Sequence, residues 1–364
     1  RKILVLINPF GGTGQAVKIF NTIAAPMFRL AGVETEVIHT KYREHATEIG
    51  RALDVSEYSA AITVSGDGVL HELINGLASR PDWQESCKLP VGIIGGGSAN
   101  AMGKNLDTLF PELATLSIIK GETRPMDVFS VTQNGTVTYS HLAILWALLG
   151  DLDIESDEYR WFGAERFTLA AIIRLIRLRT YRAKLYLLPS AETSTQSRAE
   201  TIDIAPDRPL LSHREGYRNH GPPRIHTGPD SDYTDWRVID STFTFFVATN
   251  LPYISSEFLT APQSRLNDGG MDVVWSETMN TMDGFRTVLD QGSGKYRQFP
   301  FLRSERCKAF VLEPEGWRGI LDVSGEEVPY APIKVEVHPA LVSVIAPRWL
   351  DEDRMTGVKN VKGH

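Results

Sequence analysis

Ser65-Gly66-Asp67-Gly68-Val69-Leu70-His71-Glu72-Leu73-Ile74-Asn75-Gly76 decides how the chain is read. The apolar run at residues 60–64 just before it has the composition of a buried strand. Beyond it, Leu70, Leu73, Ile74 and Leu77 fall at i, i+3, i+4 and i+7, one buried helical stripe. Asp67 thus stands between the carboxyl end of a strand and the start of a helix. The glycines beside it allow a ligand or a second backbone to come close. Ligands gather at that position in open α/β sheets, and helix amides there favour phosphate. A Gly-Asp-Gly tripeptide also suits an ordinary turn, so its neighbours carry the decision.

Two further glycine-bearing loops follow strands. Residues 2–7 form an apolar strand that ends in Asn8-Pro9-Phe10-Gly11-Gly12-Thr13-Gly14. A helix over residues 15–31 comes next, with Pro26 expected to kink or break it. The loop lacks the Gly-Lys-Ser/Thr ending of a Walker motif and the spacing of the dinucleotide fingerprint. Residues 33–40 read as a strand and 44–53 as a helix. Residues 91–94 form a short strand running into Gly95-Gly96-Gly97-Ser98-Ala99-Asn100. Strands alternating with helices predict a doubly wound parallel sheet. Three glycine loops at one sheet edge suggest a cradle for a polyphosphate.

The 364 residues suffice for two domains, and 42% hydrophobic with 23% charged residues are globular proportions. A formal charge of −7 argues against a nucleic-acid partner. Cys87 and Cys307 are too few for a disulfide framework or a cysteine-rich zinc site, which points to a reduced, cytoplasmic setting. No 18-residue uncharged apolar run is present to span a membrane, and no signal peptide is expected.

Past residue 125 the pattern becomes β-rich. Residues 127–132 and 137–143 read as strands joined across Asn134-Gly135, a strong hairpin signal. Further strand-like runs at 243–248, 271–275, 309–312, 319–323 and 333–338 predict an antiparallel sandwich. The expected division is a nucleotide domain at 1–124, a β-rich lipid-binding domain at 125–350 and a tail at 351–364, with the cleft between the domains as the site. The Pro-, Ser- and Arg-rich stretch at 190–240 is expected to be a mobile insertion. Residues 151–158 are dense in acids, ordinarily a solvated face. Leu169, Ile172, Ile173 and Ile176 then form a helical stripe with Arg174 and Arg177 opposite. Such a stripe suits core packing or a helix over a lipid slot with its basic side toward an anionic membrane surface.

Asn8-Pro9 with Gly11-Gly12-Thr13-Gly14, Ser65-Gly66-Asp67-Gly68 with His71-Glu72 and Asn75-Gly76, and Gly97-Ser98-Ala99-Asn100-Ala101 together resemble the diacylglycerol-kinase-like lipid kinase superfamily. The block from Asp151-Leu152-Asp153-Ile154-Glu155-Ser156 through Tyr159-Arg160, with Arg166-Phe167-Thr168-Leu169 and Arg179-Thr180-Tyr181-Arg182, resembles sphingosine (long-chain base) kinases in particular. The resemblance implies transfer of the γ-phosphate of ATP, with Mg²⁺, to the primary hydroxyl of a sphingoid base. It implies Asp67 as general base, with Ser65, Gly66 and Gly68 touching the lipid head. For the nucleotide it implies Asn8, Pro9 and Phe10; the turn Thr40, Lys41, Tyr42, Arg43 and Glu44; Glu72, Gly97, Ser98 and Ala99; and the phosphate clamps Arg160 and Arg166. Asp153 is implied to hold the lipid's amino-alcohol head, with Leu169, Ile172 and Ile173 at the lipid entrance and peripheral contact with a membrane surface.

The family's late Asp-Gly-Glu motif, near nucleotide and metal, reads Ser324-Gly325-Glu326 here. Serine removes a carboxylate from that place, and a hydroxyl is the weaker Mg²⁺ ligand; Asp322 and Glu327 nearby offer carboxylates that could compensate, and the metal's own ligands stay unassigned. Asp153 as a helix N-cap, Arg160 and Arg166 as partners of nearby acids, a kinase for ceramide or diacylglycerol, and a nucleotide- or lipid-binding module of little turnover are the alternative readings.

Overall fold

Strand β1 (Lys2–Ile7) buries both of its faces. Leu4 and Leu6 join one apolar cluster, and Ile3, Val5 and Ile7 join another. A strand covered on both sides is what a parallel sheet between helical layers requires. The computed structural model describes residues 1–11, 14–97, 99–155, 175, 178–190, 221–316 and 319–356. In it β1 pairs in parallel with β2 (Glu34–His39) and β3 (Ala61–Ser65), and β3 pairs in parallel with β4 (Val91–Gly95). Helices α1 (Ala16–Ile19) and α2 (Ala25–Leu30) cover one face; α3 (His45–Ala52) and α4 (Asp67–Ala78) cover the other. Short helices α5 (Trp83–Ser86) and α6 (Ala101–Asn105) precede α7 (Pro111–Lys120), which returns to the first face.

Pro26 does not break its helix. A π-helical turn at Phe20–Ala24 comes first, and the chain then resumes as α2 with Pro26 in its first turn. There a missing N–H costs least, and the wider turn absorbs the misfit.

From β5 (Thr123–Gln133) onward the pairing is antiparallel. Asn134 and Gly135 take φ 49° and 80°, the two left-handed residues of a tight hairpin leading into β6 (Thr136–Ser140). A separate strand, β7 (Ala143–Ala147), follows where one run was expected, and it leads into α8 (Leu148–Glu155). The remaining strands are β8 (Tyr181–Pro189), β9 (Arg237–Phe243), β10 (Phe245–Thr249), β11 (Met271–Ser276), β12 (Arg303–Pro314), β13 (Leu321–Val323), β14 (Glu326–Val328) and β15 (Ile333–Ile345). Inward residues of β5, β7, β8, β10 to β13 and β15 share one apolar core containing Trp146, Phe246 and Phe310. The fold is a mixed sheet, with an N-terminal α/β part and a C-terminal sheet-rich region. One strand serves both: β15 pairs antiparallel with β12 and β5, then reaches β4 through Val344 opposite Val91.

Three expectations change. The stretch at 190–240 is too wide for a mobile insertion, because residues 221–240 pack against the sheet. The buried Glu336 carboxylate accepts the N–H groups of Ile225, His226 and Thr227, and Trp236 sits against Ala309 and Val311. The tail begins later than residue 351: the helix Glu352–Thr356 is held by Arg124 and Arg265, and the Tyr253 hydroxyl donates to Met355. Asp151 is buried, not solvated, and accepts the Tyr181 hydroxyl at 2.7 Å while pairing with Arg179.

Helices α3 and α4 cross with their backbones touching. A Cβ on Gly76 would lie 2.5 Å from the Thr47 carbonyl oxygen and 2.9 Å from the Gly50 Cα. Helix propensity alone favours alanine over glycine by roughly 0.5–1 kcal/mol. Gly76→Ala is nevertheless expected to destabilise by about 1–3 kcal/mol, since neither obstructing atom is a flexible side chain. The urea unfolding midpoint checks this; an unchanged or raised midpoint refutes the tight crossing.

Candidate functional site

The parallel pairing ends with Ser65 opposite Gly95, so the chains leaving β3 and β4 emerge side by side. The Gly96 N–H donates to the Ser65 carbonyl at 2.8 Å. One residue on, a Cβ at Gly97 would fall 2.5 Å from the Gly66 Cα. Glycine at 97 is therefore a packing requirement. At Gly68 a Cβ would meet nothing within 4 Å, and Gly68 faces open space instead.

That contact sets Asp67. Its carboxylate accepts the Ala101 N–H at 2.9 Å and the Met102 N–H at 2.8 Å, one on each oxygen. Asp67 thus opens α4 and at the same time caps α6, the helix after the neighbouring glycine loop. Burial pushes its pKa up, and the amide hydrogen bonds oppose that rise. Two amides use part of a carboxylate's acceptor capacity and leave lone pairs for a further donor.

A cavity of about 520 Å³ opens onto Asp67. Of the residues the sequence pointed to, Asn8, Phe10, Thr40, Tyr42, Arg43, Gly66, Gly68, Glu72, Gly97, Ala99, Asp153, Ser324, Gly325 and Glu326 line it. Pro9, Lys41, Glu44 and Ser65 are chain neighbours of that lining rather than part of it. Ser98, Arg160, Arg166, Leu169, Ile172 and Ile173 lie outside the described residues. Leu142, Ala143, Leu145 and Ile254 add an apolar wall that the sequence did not reveal. They look like any strand or loop hydrophobe.

Several of these side chains hold the loops in place. The Asn8 amide oxygen accepts the Phe10 N–H at 2.9 Å, leaving the Phe10 ring exposed at the rim. Glu72 accepts the Ala46 N–H at 3.1 Å, and burial raises its pKa. Tyr42 donates to Glu48 at 2.7 Å. Arg43 pairs with Glu326, joining the turn before α3 to the β13–β14 turn. In that second turn Ser324 and Gly325 both have positive φ, 55° and 87°. The Ser-Gly pair thus has a local conformational reason, and the Ser324 hydroxyl bonds to that of Ser140. Asp153 lies in the last turn of α8, which removes the N-cap reading.

His71 is no base for the cavity. It is buried on α4, and burial pulls its pKa down to about 4. Its neighbour in the motif, Asn75, donates to the Tyr139 carbonyl and accepts the Tyr139 N–H at 2.7 Å, tying α4 to β6. His141, fully buried nearby, is pulled down to about 3. Cys87 and Cys307 are buried free thiols.

A histidine with a depressed native pKa binds its proton less tightly when folded. Its contribution is complete above the unfolded value of 6.5 and is lost as the pH falls toward 4. For His71 alone the shift from 6.5 to about 4 corresponds to roughly 3 kcal/mol. Urea midpoints should therefore drop between pH 7 and pH 5, and His71→Gln should shrink that drop. An identical drop in the variant would exclude His71 as a source.

Comparison with known proteins finds relatives along most of the chain. Residues 2–131 match the diacylglycerol kinase catalytic domain family. The chain is 36% identical over 347 residues to sphingosine kinase 1 of Arabidopsis thaliana, covering 90% of this chain and 68% of that protein. It is 29% identical over 355 residues to sphingosine kinase 1 of Homo sapiens, covering 93% of this chain and 89% of that protein. A crystal structure of a diacylglycerol kinase from Bacillus anthracis shares the fold, with a TM-score of 0.61 at 16% identity over 95% of this chain and 97% of the other. With sequence likeness sustained across most of both partners, the chain belongs to the sphingosine kinase family.

Proposed function

We propose that Asp67 is the general base of an ATP-dependent sphingoid-base kinase, which transfers the γ-phosphate to the lipid's primary hydroxyl. The observation that supports this is the position of one buried carboxylate. Asp67 opens onto a cavity with glycine loops on one side and Leu142, Leu145 and Ile254 on the other. A polyphosphate suits the first wall and an alkyl chain the second.

A primary hydroxyl is a poor nucleophile until its proton is taken. Asp67 accepts that proton as the hydroxyl oxygen bonds to phosphorus, and the bond to the leaving ADP oxygen breaks. Burial that raises the pKa of Asp67 makes it a better proton acceptor. The amides of Ala101 and Met102 are already bonded to Asp67, so they do not serve phosphate. The first turn of α4, where Gly68 and Val69 line the cavity, offers N–H groups that do. Asn8, Pro9, Phe10, Thr40, Lys41, Tyr42, Arg43, Glu44, Glu72, Gly97, Ser98, Ala99, Ser324, Gly325 and Glu326 are read as the surroundings of the nucleotide. Arg160 and Arg166 are read as its phosphate clamps. Asp153 is read as the partner of the substrate's ammonium, a group that ceramide and diacylglycerol lack.

Kinases use Mg²⁺ on the nucleotide's phosphates. Among the described residues no group of three or more His, Cys, Asp or Glu side chains could hold a metal ion, and Ser324 stands where the resemblance expects a carboxylate. Mg²⁺ in such sites is held by one or two carboxylates with the substrate's phosphates, its ligands in this chain are unassigned, and no step here runs through it.

We read residues 1–124 as the nucleotide domain and 125–350 as an antiparallel sandwich that carries the lipid. Among the described residues no helix is long and apolar enough to cross a membrane. A cytoplasmic enzyme touching the membrane surface near Leu169, Ile172 and Ile173 fits the substrate's solubility.

Asp67→Asn should still bind ATP, seen as a nucleotide-dependent rise in Tm, but lose on the order of 10²–10⁴ in turnover. Losing one acceptor for the α6 cap should also cost about 0.5–2 kcal/mol of stability. Wild-type turnover in a folded Asn variant would remove Asp67 as the base. Sphingosine should be labelled from radioactive ATP far better than its N-acylated form; equal labelling would contradict the substrate reading.

A further inference from the structure

Helix α6 is too short to hold its own place. It has five residues, barely more than one turn, and isolated helices of that length are not stable in water. Its N-cap residue, Asn100, makes no side-chain cap bond, and the first two amides go to Asp67 instead. The orientation of the Asp67 carboxylate therefore depends on where α6 sits. The far end of the helix is anchored just as firmly as the near end.

Asn105, the last residue of α6, is buried. Its side-chain N–H₂ donates to the Ala101 carbonyl at 3.0 Å, inside the helix, and to the Tyr253 carbonyl at 2.8 Å. Its Oδ1 accepts the Tyr253 N–H at 2.9 Å. One side chain thus takes both main-chain groups of a residue 148 positions later, as a neighbouring strand would. Both of its donors and its acceptor oxygen are used. Three residues on, the Ser256 N–H donates to the Ala99 carbonyl at 2.8 Å, so the same loop also grips the chain just before α6. Between these two grips stands Ile254, part of the cavity's apolar wall. The Ile254 N–H donates to the Phe258 carbonyl at 3.1 Å, which closes the turn.

We propose that Asn105 is a positioning residue for Asp67. By tying α6 to the main chain of Tyr253, it fixes the two amides that orient the base and keeps them in register with the apolar wall at Ile254. Asn105 itself is not among the residues that line the cavity. It acts through α6 and touches no reacting atom. This inference rests on the reading of Asp67 as general base, and it adds a residue that belongs to none of the motifs carrying the resemblance.

Three variants test it: Asn105→Ala, Asn105→Ser and Asp67→Asn/Asn105→Ala. Asn105→Ala should lower kcat about ten- to a hundredfold, the range that misplacing a reacting group brings. The KM values for ATP and sphingosine should hardly move. Asn105→Ser keeps a hydroxyl for the Ala101 carbonyl but cannot span to Tyr253, so it should lose as much as alanine. It also replaces alanine should that chain fail to fold. In the Asp67→Asn background, removing Asn105 should lower turnover no further. Hydrogen exchange of the Ala101 and Met102 N–H groups, followed by NMR without substrate, reads the positioning directly. In the Ala and Ser variants it should accelerate about tenfold more than exchange of the Leu6 N–H in β1. Equal acceleration at α6 and β1 marks a general loss of stability and overturns the proposal. So does an unchanged kcat, a serine variant with wild-type kcat, or a further fall in the Asp67→Asn background. Wild-type chain that transfers no phosphate to sphingosine fails the kinase reading. The exchange comparison then decides by itself whether Asn105 holds the amides on Asp67.

Discussion

Backbone contact between two glycine loops governs this structure. Gly97 can lie against Gly66 because residue 97 carries no side chain there. That closeness puts the Asp67 carboxylate on the N–H groups of Ala101 and Met102. One acid then ties the ends of β3 and β4 together and opens onto the cavity. Its hydrogen bonds hold it in one orientation, and preorganisation of that kind is what proton transfer needs. The same burial that raises its pKa would be costly for an unbonded carboxylate. The structural role of Asp67 and the base role proposed for it are therefore two uses of a single geometry.

The cavity is assembled from segments far apart in sequence. Asn8 and Gly97 come from loops of the parallel sheet, Asp153 from α8, and Glu326 from a hairpin some 170 residues later than α8. Arg43 bonded to Glu326 bridges the first and last of these groups at an exposed position. Exposed ion pairs contribute little to stability. Its interest lies in location, since both partners are among the residues read as nucleotide contacts.

Much of this arrangement was legible in the sequence where local chemistry decides it. The stripe Leu70, Leu73, Ile74 and Leu77 fixed α4, and the glycine loops announced the edge on which the cavity lies. Asn134-Gly135 marked a hairpin that forms as expected. Asn75 and Gly76 were legible as a motif but not as to purpose: one ties α4 to β6, the other lets α3 approach, and both depend on distant partners. Leu142, Leu145 and Ile254 gave no signal, since an apolar residue facing a cavity reads like one facing a core. Composition misled at 221–240, where prolines and polar residues pack on the sheet through amides donated to Glu336.

The route of β15 bears on how the chain can be divided. It runs beside β5 from Lys334 opposite Thr132 to Ile345 opposite Thr123. The catalytic-domain match stops at residue 131 and so includes β5 without that neighbour. A fragment cut at the match would leave an unpaired edge of main-chain groups, the kind of surface that recruits other chains. The matched segment thus lacks, by itself, the strand that pairs with β5. Its completion waits for residues far along the chain, which makes the emerging polypeptide dependent on a stretch translated long after it.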